Sequence, residues 1–141
     1  MVTFHYIEFQ AYSHATEDLE RVKKAMENLA GKELEFEISD AEGYYGNPIK
    51  ILEAKMSRNQ EMDDFFERLP GAFIKELREE LDRRIDKRCN FFFRVDKGKA
   101  YEDEIVLTKG GNSIQVRARV ESYPSRKETA VKKMREYMDQ R

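Results

Sequence analysis

Six stretches of the chain have the pattern of a β-strand, either apolar and polar residues in alternation or a short apolar run. The predicted strands cover residues 2–13, 33–38, 49–56, 91–95, 105–107 and 114–120. The first and the fourth carry apolar side chains on both faces, which is typical of inner strands covered on both sides. The last strand alternates strictly and directs Ile114, Val116, Ala118 and Val120 to one face and Gln115, Arg117, Arg119 and Glu121 to the other.

Four longer stretches place apolar residues at the spacing of an α-helix. The predicted helices run from an N-cap at Thr16 to Gly31, from an N-cap at Asn59 to Pro70-Gly71, over residues 72–87, and onward from a capping box formed by Ser125 and Glu128. Residues 96–103 are polar and predict a turn or a single helical turn. The strands at 105–107 and 114–120 predict a hairpin, because Lys109-Gly110-Gly111-Asn112 between them is a strong turn signal.

These elements follow the order β-α-β-β-α-α-β-β-β-α. The first part of this order matches the split βαβ, or ferredoxin-like, arrangement, in which helices pack on one face of a mainly antiparallel sheet. No internal repeat, low-complexity run or linker interrupts the 141 residues, and a chain of this length fits one domain. The sequence therefore predicts a single α+β domain over residues 1–141.

The segment 42–49 joins two predicted strands and contains more turn-forming residues than a simple hairpin needs. These residues are Gly43, Gly46, Asn47 and Pro48. Glycine tolerates positive φ, asparagine often visits the left-handed region, and proline extends the residue before it. We expect a rigid loop that presents Tyr44 and Tyr45, either to bases or a partner protein or as caps on the core. The Gly-x-x-Gly pattern does not indicate a KH domain, because the KH loop joins two helices.

The composition favours an ordinary globular protein with a heavily charged surface, since 40% of the residues are hydrophobic and 38% are charged. No stretch approaches the ~18 consecutive apolar residues that a membrane span requires. A charged-then-apolar leader is also missing, so we expect a cytoplasmic protein without membrane contact. Cys89 is the single cysteine, which excludes an internal disulfide and a thiolate metal cluster.

Charge is distributed unevenly along the chain. Residues 117–141 contain eight basic and four acidic residues, a net charge of +4, whereas the remaining 116 residues contain 18 basic and 24 acidic residues, a net charge of −6. The C-terminal quarter is therefore a candidate basic surface on an otherwise acidic protein. In contrast, Glu33, Glu35 and Glu37 form an outward acidic ladder that repels phosphate.

The residues that commonly perform catalysis are sparse. His5 lies within a strand and is predicted to be structural or idle, while His14 either holds the corner before the first helix or faces a ligand. Neither histidine has a helical i,i+4 histidine partner for zinc. Cys89 is predicted to be a small buried apolar residue. A phosphate-binding Gly-x-x-x-x-Gly-Lys loop and a Gly-x-Ser-x-Gly elbow are both absent from the sequence. We therefore predict that the protein is not an enzyme and uses no metal or cofactor.

The basic residues support a different hypothesis, in which they converge into a groove for the phosphates of a folded RNA that is recognised by shape. The predicted contacts are Arg117, Arg119, Arg126, Lys127, Lys97, Lys99 and Lys109, with Tyr44, Tyr45 and Asn47 available for bases or sugars. The alternative is a solvated charged face whose cations are interspersed with acids. The recognition helix of a DNA reader and the aromatic signature of an RRM are both missing.

Several motifs resemble a family of small archaeal proteins described as predicted RNA-binding proteins associated with the exosome. The motifs are His14-Ala15-Thr16-Glu17-Asp18, Glu42-Gly43 with Gly46-Asn47-Pro48-Ile49, Cys89-Asn90, Asp96-Lys97 with Ala100-Tyr101, and Ile114-Gln115-Val116-Arg117 ending at Tyr123-Pro124. The resemblance covers nearly the whole chain. It implies a fold like the large-subunit ribosomal protein that binds 5S RNA, a homodimer, and binding to structured RNA through clustered basic residues. The family often has histidine where this chain has Tyr44 and Tyr45, which argues against metal or acid–base chemistry in the loop.

The resulting hypothesis is a homodimeric, cytoplasmic, non-catalytic protein that binds structured RNA and associates with the exosome. Two alternatives belong to other classes. One is an assembly subunit that binds protein through its two-faced apolar strands and its tyrosine loop. The other is a hydrolase, which would require a pocket joining His14 to that loop.

Overall fold

The computed structural model describes residues 4–43 and 45–140 of the chain. The strands are β1 (Phe4–His14), β2 (Glu37–Glu42), β3 (Pro48–Met56), β4 (Asn90–Asp96) and β5 (Ser113–Val120). The helices are α1 (Leu19–Ala30), α2 (Asn59–Arg68), α3 (Gly71–Glu79), α4 (Leu81–Arg84), α5 (Lys97–Tyr101) and α6 (Lys127–Asp139). None of the helices in these described ranges is long and apolar enough to cross a membrane.

The five strands form one sheet in the order β2-β3-β1-β5-β4. The strand β3 lies between β1 and β2, which are connected through α1, so the predicted split βαβ arrangement is confirmed. Strands β2 and β3 form an antiparallel hairpin in which Glu42 pairs with Pro48 at the loop end. The protein is therefore an α+β protein with a mainly antiparallel sheet.

The contacts divide the chain into two compact units. Unit 1 comprises the described residues of Met1–Ile7, Met56–Phe93 and Arg117–Arg141. Unit 2 comprises the described residues of Glu8–Lys55 and Arg94–Val116. Strands β1, β3, β4 and β5 contribute residues to both units. That the whole chain behaves as one domain stays a prediction.

Unit 1 is built around an aromatic core. Phe66 of α2 stacks on Phe4 of β1 at 4.9 Å between ring centroids and on Phe91 of β4 at 6.4 Å. Tyr137 of α6 meets the Phe66 ring edge-on at 5.9 Å, and Phe73 of α3 lies edge-on to a ring of β4. Because all these rings lie on the same side of their strands, helices α2, α3 and α6 cover one face of the sheet in this unit, as the sequence predicts.

Unit 2 packs α1 against the short helix α5. Val22, Met26 and Leu29 on the inner side of α1 are buried. The side-chain amide of Asn28 donates hydrogen bonds to the carbonyl oxygens of Ala100 and Tyr101, at 3.0 and 3.2 Å. Helix α1 ends at Gly31 as predicted, where φ is +78°, a conformation that favours glycine.

One predicted strand was wrong. Residues 105–107 do not form a hairpin with β5; instead Leu107 makes a single antiparallel bridge to Val95 near the end of β4. The backbone N–H of Asp96 donates to Val106 O at 2.8 Å, and that of Thr108 donates to Arg94 O at 3.0 Å. Helix α5 and the turn after it bring this segment back to β4, whereas the sheet places β5 between β1 and β4.

Several predicted boundaries also shift. The N-cap of α1 is Asp18 rather than Thr16, because the Asp18 carboxylate accepts the N–H of Glu20 at 3.0 Å. The predicted helix over 72–87 breaks at Glu80 into α3 and α4 and ends at Arg84. The predicted strand over 33–38 begins only at Glu37 and forms an edge of the sheet, where Ile38 is exposed rather than inward.

Candidate nucleic-acid interface

The alternation predicted for β5 is confirmed. Ile114, Val116, Ala118 and Val120 are buried, and Gln115, Arg117, Arg119 and Glu121 are half-buried on the opposite side. Successive side chains of a strand point to opposite faces of the sheet. In unit 1, Arg117 and Arg119 therefore lie on the face that α2, α3 and α6 leave uncovered.

Two aromatic residues from the neighbouring strands share that face. The Arg117 guanidinium lies over the Tyr6 ring of β1, 5.9 Å from its centroid. On the other side of β5, Phe91 and Phe93 of β4 are buried, so Phe92 between them points to the uncovered side, where it is 41% exposed. We call Tyr6, Phe92, Arg117 and Arg119 the open face of unit 1.

The charge on the open face is predominantly positive. Arg119 makes no ion pair or side-chain hydrogen bond within residues 4–43 and 45–140. Glu121, the residue after β5, is half-buried on the same side, and its carboxylate lies 3.8 Å from the imidazole of His5. That His5 is structural or idle stays a prediction.

Phe92 is held on a strand whose backbone is anchored from α4. The Arg84 guanidinium donates to Phe92 O at 3.4 Å and forms an ion pair with Glu80 at 2.8 Å. Arg84 contacts the backbone of Phe92, and the Phe92 ring is left exposed. Sequence reasoning omitted Phe92 and Tyr6, although the alternation across Phe91-Phe92-Phe93 was a signal for Phe92.

The connection from β5 to α6 carries the next two predicted residues, also in unit 1. Arg126 is exposed and occupies the N-cap position of α6, and Lys127 is its first residue. The predicted capping box was wrong: Ser125 donates its hydroxyl to Ser122 O at 3.2 Å instead. A positive charge at the N-terminus of a helix interacts unfavourably with the helix dipole. Arg126 and Lys127 therefore do not stabilise α6 through this interaction.

Lys97, predicted to contact phosphate, is placed differently in unit 2. It is only 5% exposed, and its ammonium group donates to Tyr12 O at 2.7 Å and to the Glu17 carboxylate at 2.9 Å. Burial alone would raise the pKa of Glu17, but the hydrogen bonds from Lys97 and from the His14 N–H outweigh burial and hold that pKa below its ordinary value. Lys97 therefore has a structural role, and we leave it out of the proposed contacts.

The other predicted lysines of unit 2 are exposed. Lys99 and Lys109 lie on α5 and in the turn before β5, and their ammonium groups make no contact with a carboxylate in the part of the chain that the structure describes. Arg94 of β4, which sequence reasoning did not select, is exposed in the same way. These three cations are accessible, in contrast to Lys97.

The loop between β2 and β3 is closed by two backbone hydrogen bonds. The N–H of Gly43 donates to Asn47 O at 2.7 Å, and the N–H of Gly46 donates to Gly43 O at 2.9 Å. Gly46 has a φ of +78°, which explains the glycine there. Tyr45 is 90% exposed and Asn47 is exposed. Tyr44 lies outside the described residues.

Each of the groups considered for catalysis makes contacts within its own unit. Cys89 is buried as predicted, with its Sγ 3.4 Å from the hydroxyl oxygen of Ser122. The corner before α1 is held by backbone groups, because the N–H of His14 donates to the Glu17 carboxylate at 3.2 Å while the imidazole is exposed. Among the described residues, no group of three His, Cys, Asp or Glu side chains is arranged to hold a metal ion.

The comparisons with known proteins define the class to which this fold and interface belong. A family model described as RNA binding matches residues 6–120, and the chain belongs to that family. The match includes β4, β5 and β1 from Tyr6 onward, and these strands carry the open face of unit 1.

Individual relatives match along nearly their full length. The chain is 37% identical to the RNA-binding protein PAB1135 of Pyrococcus abyssi, over 96% of this chain and 94% of that protein. It is similar in structure to Mth689, a DUF54 protein from Methanothermobacter thermautotrophicus, with a TM-score of 0.85, 32% identity, and coverage of 96% of this chain and 98% of that chain. It is similar to AF2318 of Archaeoglobus fulgidus, with a TM-score of 0.86, 36% identity, and coverage of 94% and 98%.

Proposed function

We propose that this protein is a cytoplasmic, non-catalytic RNA-binding protein that recognises structured RNA through accessible cations. Membership of a family described as RNA binding and the name of the Pyrococcus relative support the ligand class. The observation that carries the choice of residues is the position of half-buried arginines on the open face of unit 1 and of an exposed arginine at the start of α6. The proposed phosphate contacts in this unit are Arg117, Arg119, Arg126 and Lys127.

Free cations at a surface bind the RNA backbone because each contact releases a condensed counterion. Arg119 and Arg126 qualify, since neither is paired with a carboxylate within the described ranges. Arg126 has a second advantage: the N-terminus of α6 adds a positive partial charge beside it, which favours an anion. An isolated charge of this kind costs the fold little and is available to a polyanion.

The contacts proposed in unit 2 are those with exposed polar groups. Lys99 and Lys109 contact phosphates, and Tyr45 and Asn47 contact bases or sugars, together with Tyr44 of the same loop. The exposure of these described side chains supports the proposal.

A charge-reversal experiment tests the proposed function. In the double variant Arg119→Glu with Arg126→Glu, we expect binding to a structured RNA hairpin to weaken at least tenfold near 50 mM salt. Its plot of log affinity against log salt should be shallower by about two, because about one counterion is released per phosphate contact. The matched control is Lys24→Glu with Lys75→Glu, two exposed lysines outside the proposed contacts.

Equal losses in the two double variants would show that only net charge matters and would contradict the named residues. If the wild-type protein bound no RNA near 50 mM salt, the proposed function itself would be wrong. Thermal unfolding of each variant establishes that the comparison is made between folded proteins.

The proposal extends to a homodimer that associates with the archaeal exosome, which the family resemblance supports. The second candidate is an assembly subunit that contacts protein rather than RNA, and the 90% exposure of Tyr45 favours it. Sedimentation of the purified protein measures the oligomeric state. A pull-down with exosome subunits, repeated after nuclease treatment and at high salt, separates the two candidates: an RNA-bridged association is lost, whereas direct protein contact survives.

A further inference from the structure

We propose that the open face of unit 1 binds an unpaired nucleotide, with its base stacked on the Phe92 ring and its phosphate held by Arg119. This inference rests on the proposed RNA-binding function. It adds that the RNA segment bound by Tyr6, Phe92, Arg117 and Arg119 is single-stranded.

The first argument is the position of the rings. A half-exposed phenylalanine on the uncovered side of a sheet loses the apolar contact that its buried neighbours Phe91 and Phe93 gain, so burial does not explain it. A flat ring on a strand is instead a platform for a base, because every base has a π-face. Sheets bind single-stranded RNA in this way in other folds.

The second argument is the order of the groups across the sheet. The strand β5, which carries Arg117 and Arg119, lies between β1, which carries Tyr6, and β4, which carries Phe92. Cations thus lie between two aromatic rings within one unit. A nucleotide has the complementary chemistry, since it combines a flat ring with a negative phosphate.

The third argument is the ordering of Arg117. Its guanidinium lies over the Tyr6 ring at 5.9 Å, which limits the orientations of its plane. An arginine whose plane is already oriented loses less side-chain freedom when it contacts a ligand.

These groups favour an unpaired base over a duplex. The flat faces of paired bases are hidden in the helical stack, so a duplex would contact only the arginines and leave Phe92 unused. A protein partner or a second copy of this chain would bury the apolar ring. Such a partner would also have to supply an acidic group for Arg119. The nucleotide satisfies both the ring and the charge.

A single tryptophan reports on stacking directly, because the protein contains none. In Phe92→Trp, we expect an adenine oligoribonucleotide of about ten residues to quench the tryptophan emission on binding. An abasic oligomer with the same number of phosphates should leave the emission unchanged. The control is Ile38→Trp, which places the reporter at an exposed position of β2 outside the proposed contacts and should not respond.

Affinity measurements provide the second readout. Phe92→Ala should weaken binding of the adenine oligomer about tenfold and leave the weaker binding of the abasic oligomer unchanged, because only the former loses a stacking partner. Phe92→Leu keeps apolar bulk without a flat ring and should be as weak as Phe92→Ala, whereas Phe92→Tyr should retain the wild-type affinity. Thermal unfolding should show no large change, since the side chain is not part of the core.

The outcomes separate this inference from the proposed function. If the adenine and abasic oligomers bound equally, or if tryptophan at position 92 were not quenched while RNA bound, this inference would be wrong and the RNA-binding function would stand. An emission that changed with protein concentration rather than with RNA would show that the face is covered by a second copy, and this also overturns the inference. Absence of binding to both oligomers and to a paired hairpin would overturn both.

Discussion

Arg119 in unit 1 and Lys97 in unit 2 carry the same formal charge in different surroundings. Arg119 is half-buried on the open face, with no carboxylate within ion-pair distance among the described residues. Lys97 is buried, with Glu17 and Tyr12 O accepting hydrogen bonds from its ammonium group. The sequence hypothesis treated the two alike, as contacts for phosphate.

The two cations differ in whether a nearby carboxylate neutralises their charge. A cation with a buried partner has its field neutralised locally, and separating it from that partner costs several kcal/mol, so it holds the fold together. A cation at a half-exposed position without a partner contributes little to stability and keeps its charge for a ligand. Unit 2 therefore uses Lys97 for stability, and unit 1 offers Arg119 for binding.

The largest expected effect is that of removing the buried cation. Lys97→Met leaves the partly buried Glu17 carboxylate without its partner, and we expect a loss of about 2–3 kcal/mol in the free energy of unfolding. The melting temperature should fall by roughly 6–10 °C for a chain of this size. RNA affinity, measured at a temperature where the variant is folded, should not change.

The control for that variant is Lys99→Met, two residues further along α5 and exposed. It should unfold close to the wild-type temperature. If Lys97→Met weakened RNA binding as strongly as it weakened the fold, the contrast between the two cations would be wrong.

Removal of Arg119, the cation without a carboxylate partner among the described residues, should give the reverse result. Arg119→Ala should leave the free energy of unfolding within about 0.5 kcal/mol of wild type. RNA affinity should fall about fivefold, and the slope of log affinity against log salt should become shallower by about one. A large loss of stability without any change in affinity would contradict the role assigned to Arg119.

The pH dependence of stability sharpens the contrast from the carboxylate side. The pKa of Glu17 is lower in the folded protein than its ordinary value of 4.5. Between these two pKa values the unfolded chain binds more protons than the folded protein. The contribution of Glu17 to the free energy of unfolding is therefore complete above the ordinary pKa and is lost as the pH falls through the pKa of the folded protein. We expect Glu17→Gln to be less stable than wild type at pH 7, with a smaller further loss on acidification.

The pKa of Asp86 and that of Asp139 are also lowered in the folded protein. The wild type and Glu17→Gln should therefore both lose some stability in acid. The measurement is therefore the difference in the free energy of unfolding between wild type and Glu17→Gln, determined by urea unfolding at pH values from 7 to 3. A difference that did not shrink with falling pH would show that Glu17 does not act through its charge.

The smallest effect is expected at an ion pair on the protein surface. Arg78 donates to the Asp139 carboxylate at 2.5 and 3.0 Å, linking α3 to α6 at the surface. Solvent and salt screen such pairs. Arg78→Ala should therefore leave both the melting temperature and RNA affinity close to wild type. A clear loss of stability would show that an ion pair need not be buried to support the fold.

Local patterns in the sequence predicted much of the fold and part of the interface. The alternation from Ile114 to Glu121 placed Arg117 and Arg119 on one side of a strand, and the turn residues around Gly46 placed a loop between two strands. Both features depend on neighbours in the chain, so they are visible without a structure. The same reasoning misplaced the strand at 105–107, because its partner β4 is chosen by tertiary packing.

What the sequence alone determined is the period of each element, and with it the side of the strand on which each β5 cation lies. Only the tertiary structure decided which of those sides is covered by helices and which cations have carboxylate partners. Glu17 lies 80 residues before Lys97, and no local pattern links them. Periodicity is a property of neighbouring residues, whereas burial and ion pairing depend on distant segments meeting in space.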